Sequence, residues 1–213
     1  MKRVLTALAL VDGEHYQDVV VEAIGALRYE VVGAVMLGGT EKLRGGTPDY
    51  GVTLWDSLAE ALAQVEVDVV VDLSDEPVVG PRRRFRLASH ALAQGLPYVG
   101  ADFKLDPVRF APYSQPALAV IGTGKRVGKT AVAGHVARLL AASRELVVVA
   151  MGRGGPAEPV VSQPSPTIAE LLALSRSGLH AASDYLEDAA LAKVVTVGAR
   201  RCGGGLAGQP FVS

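Results

Sequence analysis

The chain has a single cysteine, almost no net charge and no long apolar run, and each of these shortages excludes a class of protein. The lone Cys202 rules out an internal disulfide framework and fits a reducing cytoplasm. A net charge of −1 gives no support for nucleic-acid binding, which usually needs a basic excess. No apolar run approaches the roughly 20 residues of a membrane span, and the first residues lack the layout of a signal peptide. We therefore expect a cytoplasmic protein with neither a nucleic acid nor a membrane as its partner.

The sequence does contain 49% hydrophobic residues, arranged as short β-branched runs that alternate with helical patterns. Strands are predicted at residues 3–11, 31–37, 67–73 and 97–100. Helices are predicted at residues 18–27, 54–65 and 82–94. Apolar strands that alternate with helices favour a parallel sheet covered on both faces. The fold class is therefore predicted to be α/β, beginning with a Rossmann-like parallel-sheet domain.

Residues 104–116 contain three prolines, a density that is unfavourable for a helix or an inner strand. We predict a domain boundary there, with a Rossmann-like domain at residues 1–113 and a second domain at residues 114–213. A glycine-rich loop at residues 122–130 indicates that the second domain is a P-loop NTPase domain. The predicted strands of this domain are 117–122, 146–151 and 194–197, and its predicted helices beyond the loop are 167–177 and 184–192. An apolar strand that ends in aspartate is expected downstream of a P-loop, and none is present. We therefore interpret this second domain as incomplete and the chain as part of a longer protein.

A glycine-rich loop links the apolar run 117–122 to a helical pattern that opens at Gly128-Lys129-Thr130. Backbone N–H groups in such a loop, together with the helix N-terminus, form an anion site. The Lys129 ammonium can reach the β- and γ-phosphates of ATP, and the Thr130 hydroxyl can ligate Mg²⁺. The residues predicted to bind the nucleotide are Gly122, Thr123, Gly124, Lys125, Arg126, Val127, Gly128, Lys129, Thr130 and Ala131.

The loop departs by one position from the usual Gly-x4-Gly-Lys-Thr motif. Thr123 occupies the place of the first glycine, and Gly122 lies one residue earlier. This spacing resembles the variant loop of dethiobiotin synthetases. The alternative is a strand-to-helix turn that binds nothing, but the predicted strand and helix on either side favour a nucleotide site.

Charged residues after the loop are further candidates for the site. Arg153 lies between glycines after a predicted strand, and Arg200 and Arg201 precede a run of three glycines. Arginine suits bidentate contact with phosphate, so these three are predicted to be catalytic together with Lys129. Metal ligands are predicted at Thr130, Asp184 and Glu158, although Asp184 begins a predicted helix and an acid there can serve only as a cap.

The first domain offers polar residues after its first predicted strand, where ligands bind in open α/β sheets. Asp12, Glu14 and His15 are candidates for substrate contact, and the alternative is a polar loop that caps the next helix. Residues 82–86 form the only basic run, which we interpret as a solvated helix face. A role for this run in attracting an anionic substrate is the alternative.

Five segments together resemble the cyclic 2,3-diphosphoglycerate synthetase family. They are residues 11–16, 122–130, 151–159, 180–188 and 198–208. The resemblance covers nearly the whole chain but only about half of the longer family chain. It implies an ATP- and Mg²⁺-dependent ligase that closes an intramolecular phosphoanhydride in 2,3-diphosphoglycerate and releases ADP and phosphate. We also expect a homodimer. The alternatives are another P-loop small-molecule kinase or ligase, and a non-catalytic ATP-binding protein.

Overall fold

The computed structural model describes residues 3–39, 43, 46–124, 126–152, 155–178, 184–207 and 211–212. The chain divides into two compact units, which are described separately below. Unit 1 consists of Met1–Ala111 and Leu206–Gly208, and unit 2 consists of Pro112–Gly205 and Gln209–Ser213. Within the described ranges, no helix is long and apolar enough to cross a membrane.

In the part of the chain that the structure describes, unit 1 is a six-stranded sheet with three helices. Its strands are β1 (Thr6–Val11), β2 (Glu30–Met36), β3 (Thr53–Trp55), β4 (Val69–Asp72), β5 (Tyr98–Val99) and β6 (Lys104–Leu105). Its helices are α1 (Gln17–Ala26), α2 (Leu58–Gln64) and α3 (Pro81–Ala93). The strand order is β3-β2-β1-β4-β5-β6, and all pairs are parallel except β5 with β6. The predicted α/β fold with a parallel sheet is confirmed.

The core of unit 1 lies on both faces of the sheet, and the central strand β1 contributes side chains to each face. Leu8 and Leu10 are fully buried in one cluster with residues of α2 and α3. Ala9 and Val11 point to the opposite face and pack in a cluster with Val20 of α1. Burial of each large side chain stabilises the fold by about 1.5–3 kcal/mol relative to exposure. Burial on both faces explains why this strand is apolar at every position rather than at alternate ones.

The short strand β3 was predicted to be the start of a helix at residues 54–65. In the structure the helix α2 starts only at Leu58, where the Ser57 side chain accepts a hydrogen bond from the Glu60 N–H and caps it. Trp55 of β3 lies against Gly33 of β2, and a Cβ on Gly33 would overlap its indole ring. The ring therefore fills the space that a side chain at position 33 would occupy.

The described residues of unit 2 form three helices and a four-stranded sheet. The helices are α4 (Lys129–Ala141), α5 (Ile168–Arg176) and α6 (Asp184–Leu191). The strands are β7 (Val147–Gly152), β8 (Val160–Ser162), β9 (Val195–Cys202) and β10 (Phe211–Val212). β9 pairs in parallel with β7 and antiparallel with β8 and β10. Helices α4 and α6 pack beside β7 through a small cluster of Ala137, Ala192 and Val194 with Leu146 and Val148.

The strand predicted at residues 117–122 is not formed, and this prediction was wrong. The segment makes no strand pairing, and the Leu118 and Ile121 residues are 67% and 87% exposed. A strand requires a hydrogen-bonded neighbour, and β7 is the outermost strand of the sheet in the described part of unit 2. The strand predicted at 194–197 is longer than expected, because β9 continues through Arg200 and Arg201 to Cys202.

Candidate functional site

The glycine-rich loop leads directly into α4, as the motif requires. Gly128 is the N-cap of α4 and has φ +83°, a left-handed conformation that glycine adopts without strain. Arg126 also has a positive φ, of 57°, although it carries a side chain. Successive backbone N–H groups near such left-handed residues form concave anion sites, and the N-terminus of α4 adds a partial positive charge. The loop therefore has the backbone form of a phosphate site.

Lys129, the first residue of α4, folds back over the loop. Its Nζ donates a hydrogen bond to the Gly124 carbonyl oxygen at 2.7 Å. This contact places the ammonium above the same backbone that carries the candidate phosphate-binding N–H groups. Gly122 lies beneath this side chain, because a Cβ on Gly122 would come within 2.9 Å of Lys129 Cγ and 2.6 Å of Val127 Cγ2.

The packing at Gly122 gives a matched pair of variants within one loop. We expect Gly122→Ala to weaken ATP binding about 10-fold or more, because the added methyl group displaces Val127 and Lys129. Gly124→Ala is the control, since its nearest neighbour would lie at an ordinary contact distance of 3.8 Å. Titration with a fluorescent ADP analogue measures both affinities. Equal affinities for the two variants would contradict the packing argument.

The structure places the other predicted residues as follows. Lys125 and Arg153 lie outside the described residues, as does the Asp184 side chain, although Asp184 begins α6. The Arg200 Nε donates to the Gly155 carbonyl oxygen at 3.0 Å, so this arginine lies beside the turn that follows β7. Arg201 is half-buried on β9, and Glu158 is exposed. A role for these residues in phosphate or metal binding stays a prediction.

Asp188 on α6 is a buried carboxylate that the sequence pattern did not single out, because an acid near the start of a helix is typical of a cap. It is 3% exposed, and a Cβ added to Gly134 of α4 would lie 3.0 Å from its Oδ1. The glycine at position 134 therefore lets this buried carboxylate approach the helix that carries Lys129 and Thr130. A glycine inside a helical pattern was the available signal, since it often marks a close approach.

In unit 1, the residues after β1 form a compact hydrogen-bonded group around Asp12, which is 1% exposed. Its Oδ1 accepts from the Glu14 N–H at 3.0 Å and contacts His15 Nδ1 at 2.9 Å. Its Oδ2 accepts from the Asp75 N–H at 2.7 Å, in the loop that follows β4. Asp12 thus joins the loops at the ends of the two central strands, which the sequence did not reveal.

Comparison with known proteins matches both units to one family. Residues 6–106 match the model of the N-terminal domain of cyclic 2,3-diphosphoglycerate synthetase, and residues 117–213 match the model of its P-loop domain. The chain belongs to the cyclic 2,3-diphosphoglycerate synthetase family. The segment 122–130 lies within the residues that match this P-loop domain.

Several relatives bear the name cyclic 2,3-diphosphoglycerate synthetase. The protein from Rubrobacter xylanophilus is 53% identical over 98% of this chain and 50% of its own length. Those from Thermococcus onnurineus and Pyrococcus furiosus are 49% and 45% identical over 96% of this chain and 50% of their own lengths. The chain spans about half the length of the curated relatives it matches.

In this member of the cyclic 2,3-diphosphoglycerate synthetase family, unit 1 has a buried aspartate besides Asp12, namely Asp72 at the end of β4. Its Oδ2 accepts from the Tyr98 hydroxyl at 2.6 Å and from Arg84 Nε at 2.8 Å. Its Oδ1 accepts from the backbone N–H and the hydroxyl of Ser74. The interpretation of residues 82–86 as a solvated face was therefore wrong for Arg84, whose long stem lets its guanidinium reach the buried carboxylate.

Tyr98 gives this family member a pH-dependent contribution to stability. Burial, and then its hydrogen bond to Asp72, raise the pKa of the Tyr98 hydroxyl well above its usual value. A raised pKa in the folded state favours the neutral form. Stability from this group is therefore fully present below the unfolded pKa of about 10 and is lost as pH rises above it.

We expect the free energy of unfolding to fall more steeply above about pH 10 in the native sequence than in Tyr98→Phe, by up to about 1.4 kcal/mol per pH unit. Trp55 is the only tryptophan and lies in unit 1, so its fluorescence during urea unfolding reports this unit. The control is Tyr113→Phe, since Tyr113 is 74% exposed and should leave the native slope unchanged. Identical slopes for the native protein and Tyr98→Phe would refute the assignment.

Proposed function

We propose that the protein containing this chain closes an intramolecular phosphoanhydride in 2,3-diphosphoglycerate at the expense of ATP. The products are cyclic 2,3-diphosphoglycerate, ADP and phosphate. The observation that carries the proposal is the P-loop, with Lys129 folded over Gly124, inside a segment that matches the P-loop domain of the family. In the net reaction, ATP loses its γ-phosphoryl group and becomes ADP. The two substrate phosphates join with loss of one oxygen atom, and this oxygen combines with the γ-phosphoryl group to give inorganic phosphate.

The P-loop residues bind and neutralise the nucleotide phosphates. Backbone N–H groups of residues 122–124 and 126–128 and the N-terminus of α4 bind the phosphates. The Lys129 ammonium exchanges its contact with the Gly124 oxygen for a phosphate oxygen. The substrate carries two phosphates and a carboxylate, so the reaction gathers many negative charges. Positioning and charge neutralisation are therefore the main tasks of the site.

Arg153, Arg200 and Arg201 are proposed as the further cations. The hydrogen bond of Arg200 to the Gly155 carbonyl oxygen supports this, because Gly155 is only two residues from position 153 in the sequence. Bidentate contact by arginine would fix the orientation of a substrate phosphate. The register of β7 with β9 pairs Gly152 with Arg200, so the two candidate segments lie at the same end of neighbouring strands.

We propose that a magnesium ion binds at the loop, because a hydroxyl and carboxylate oxygens are the donors that Mg²⁺ prefers. The Thr130 hydroxyl is the second residue of α4, the position at which a P-loop supplies a metal ligand, and Asp184 and Glu158 are proposed as further oxygen donors. The ion would add positive charge against the phosphates when bound. We also propose a cytoplasmic homodimer, in line with the single cysteine for the compartment.

Phosphorus NMR tests the proposed function directly. The 213-residue chain, and a protein of the relatives' length that contains it, are incubated with ATP, Mg²⁺ and 2,3-diphosphoglycerate. We expect a new phosphoanhydride signal with equal amounts of ADP and phosphate. Consumption of ATP without that signal would favour another P-loop kinase or ligase, and absence of turnover in both proteins would favour a binding role.

A further inference from the structure

Unit 1 contains a cavity of about 650 Å³ on the side of the sheet where β1 and β4 end. The strand order reverses between these two strands, because β2 and β3 lie to one side of β1 whereas β4 and β5 lie to the other. Open α/β sheets bind ligands in the crevice beyond the carboxyl ends of strands at this kind of reversal. The volume is that of a small-molecule site. Its polar lining includes His15, Arg28, Asp72, Ser74, Arg84 and the two exposed acids Asp75 and Asp102.

Asp12 fixes the orientation of His15 in this lining. The Asp12 side chain is fully buried and accepts backbone N–H groups at both of its oxygens, whereas His15 is 38% exposed. A carboxylate that acts as an acceptor requires His15 Nδ1 to carry a proton and donate it. The other ring nitrogen, Nε2, is then available to contact a ligand in the cavity.

Asp72 fixes Arg84 in the same manner on the neighbouring strand. The Arg84 Nε donates to Asp72 Oδ2 and its Nη2 donates to the Ser74 carbonyl oxygen, both at 2.8 Å. The side chain is 26% exposed, and no partner for Nη1 occurs among the described residues. Two buried aspartates, Asp72 at the end of β4 and Asp12 directly after β1, therefore hold one nitrogen-bearing side chain each at the wall of one cavity.

This arrangement suits an oxyanion. Asp72 pairs with the charge of Arg84, and Arg28 adds an exposed cation. The other lining acids, Asp75 and Asp102, are exposed to solvent, which screens their charges. A histidine and an arginine held in fixed positions provide directed donors for a phosphate or carboxylate group.

We propose that this cavity is an oxyanion site of unit 1, at which His15 Nε2 and Arg84 Nη1 donate to a phosphate ester and Asp12 acts as the positioning residue for His15. Because Nδ1 already donates to Asp12, donation by Nε2 requires a second proton on the ring, taken from the ester or from water. The assignment of the ester as the 2,3-diphosphoglycerate of the reaction above rests on the proposed function.

Nitrogen NMR of the histidine rings tests the site without any need for turnover. The chain has four histidines, which substitution distinguishes. On titration of the 213-residue chain with 2,3-diphosphoglycerate, we expect saturable shifts of the His15 ring that show protons on both nitrogens, together with a shift of the Arg84 Nε–H signal. A residue that serves only the fold would keep its protonation state.

His15→Gln is expected to weaken this binding about 10-fold or more. Its matched control is His90→Gln, because His90 is an exposed histidine on α3 that lies outside the lining of the cavity. An unchanged Trp55 emission spectrum shows that unit 1 of each variant is folded. Equal affinities of the two folded variants would overturn the role of His15.

Inorganic phosphate and ADP serve as the comparison ligands. Tighter binding of 2,3-diphosphoglycerate than of either supports the full proposal. Equal shifts from all three would keep the oxyanion site and overturn the assignment of its ester. No shift of His15 with any of them would overturn the site, and it would leave the proposed function standing if phosphorus NMR still detects the cyclic product.

Discussion

Replacing Lys129 with alanine is expected to lower ATP-dependent turnover by at least about 100-fold, the usual effect of removing one preorganised charge from a phosphoryl-transfer or acyl-transfer site. Lys129 is the side chain that folds over the P-loop backbone, and its ammonium contacts Gly124 at 2.7 Å. Water cannot supply the positive charge of an ammonium that is already positioned at the loop. The measurement is release of ADP and formation of the cyclic product, followed by phosphorus NMR.

The matched control is Arg138→Ala, which removes an exposed cation from the last turn of the same helix. This variant should retain native turnover. Lys129→Arg distinguishes charge from geometry, because arginine keeps the charge but has a different shape and reach. If Lys129→Ala retained more than about a tenth of native turnover, the loop would not be the catalytic nucleotide site.

Replacing Asp72 with alanine is expected to reduce the free energy of unfolding of unit 1 by about 3 kcal/mol or more. The variant loses four hydrogen bonds and leaves both the buried Tyr98 hydroxyl and the Arg84 guanidinium without their carboxylate partner. Removing one partner of a buried pair costs more than the pair contributes, because the other group stays desolvated. Urea unfolding followed by Trp55 fluorescence gives the value for unit 1.

The appropriate comparison is Asp106→Ala, which breaks an ion pair with Lys104 whose two side chains are 54% and 60% exposed. Solvent screens such a pair, so this variant should unfold at the native urea concentration. The double variant Asp72→Leu with Arg84→Met removes both charges together. It should recover part of the lost stability, and a double variant no more stable than Asp72→Ala would show that charge burial is not the cause.

Local patterns were sufficient to predict most of the fold. The runs that became β1, β2, β4 and β7 are apolar over several residues, with three valines in each of β2, β4 and β7. Their alternation with helices led to the α/β prediction. Strand 117–122 had the same pattern and was predicted wrongly, because pairing depends on a neighbouring strand and not on propensity alone. The strand β3 was missed because only three residues form it.

The candidate sites show the same division between local and distant information. The P-loop was predictable because its glycines, lysine and threonine lie within nine residues of Gly122. The Asp72 network was not, since Arg84 and Tyr98 are 12 and 26 residues away in the chain. The Asp12 bridge to the Asp75 N–H spans 63 residues and depends on the pairing of β1 with β4. Sequence spacing carries no record of such contacts until the strand order is known.

The contact of Trp55 with Gly33 constrains how this lineage can diverge. A methyl group gained at position 33 while the indole is present collides with the ring, whereas loss of the indole first leaves only a gap. A descendant can therefore acquire a side chain at position 33 only after position 55 has become smaller. Positions 33 and 55 are therefore epistatic: the fold tolerates substitution at position 55 followed by position 33, but not the reverse order.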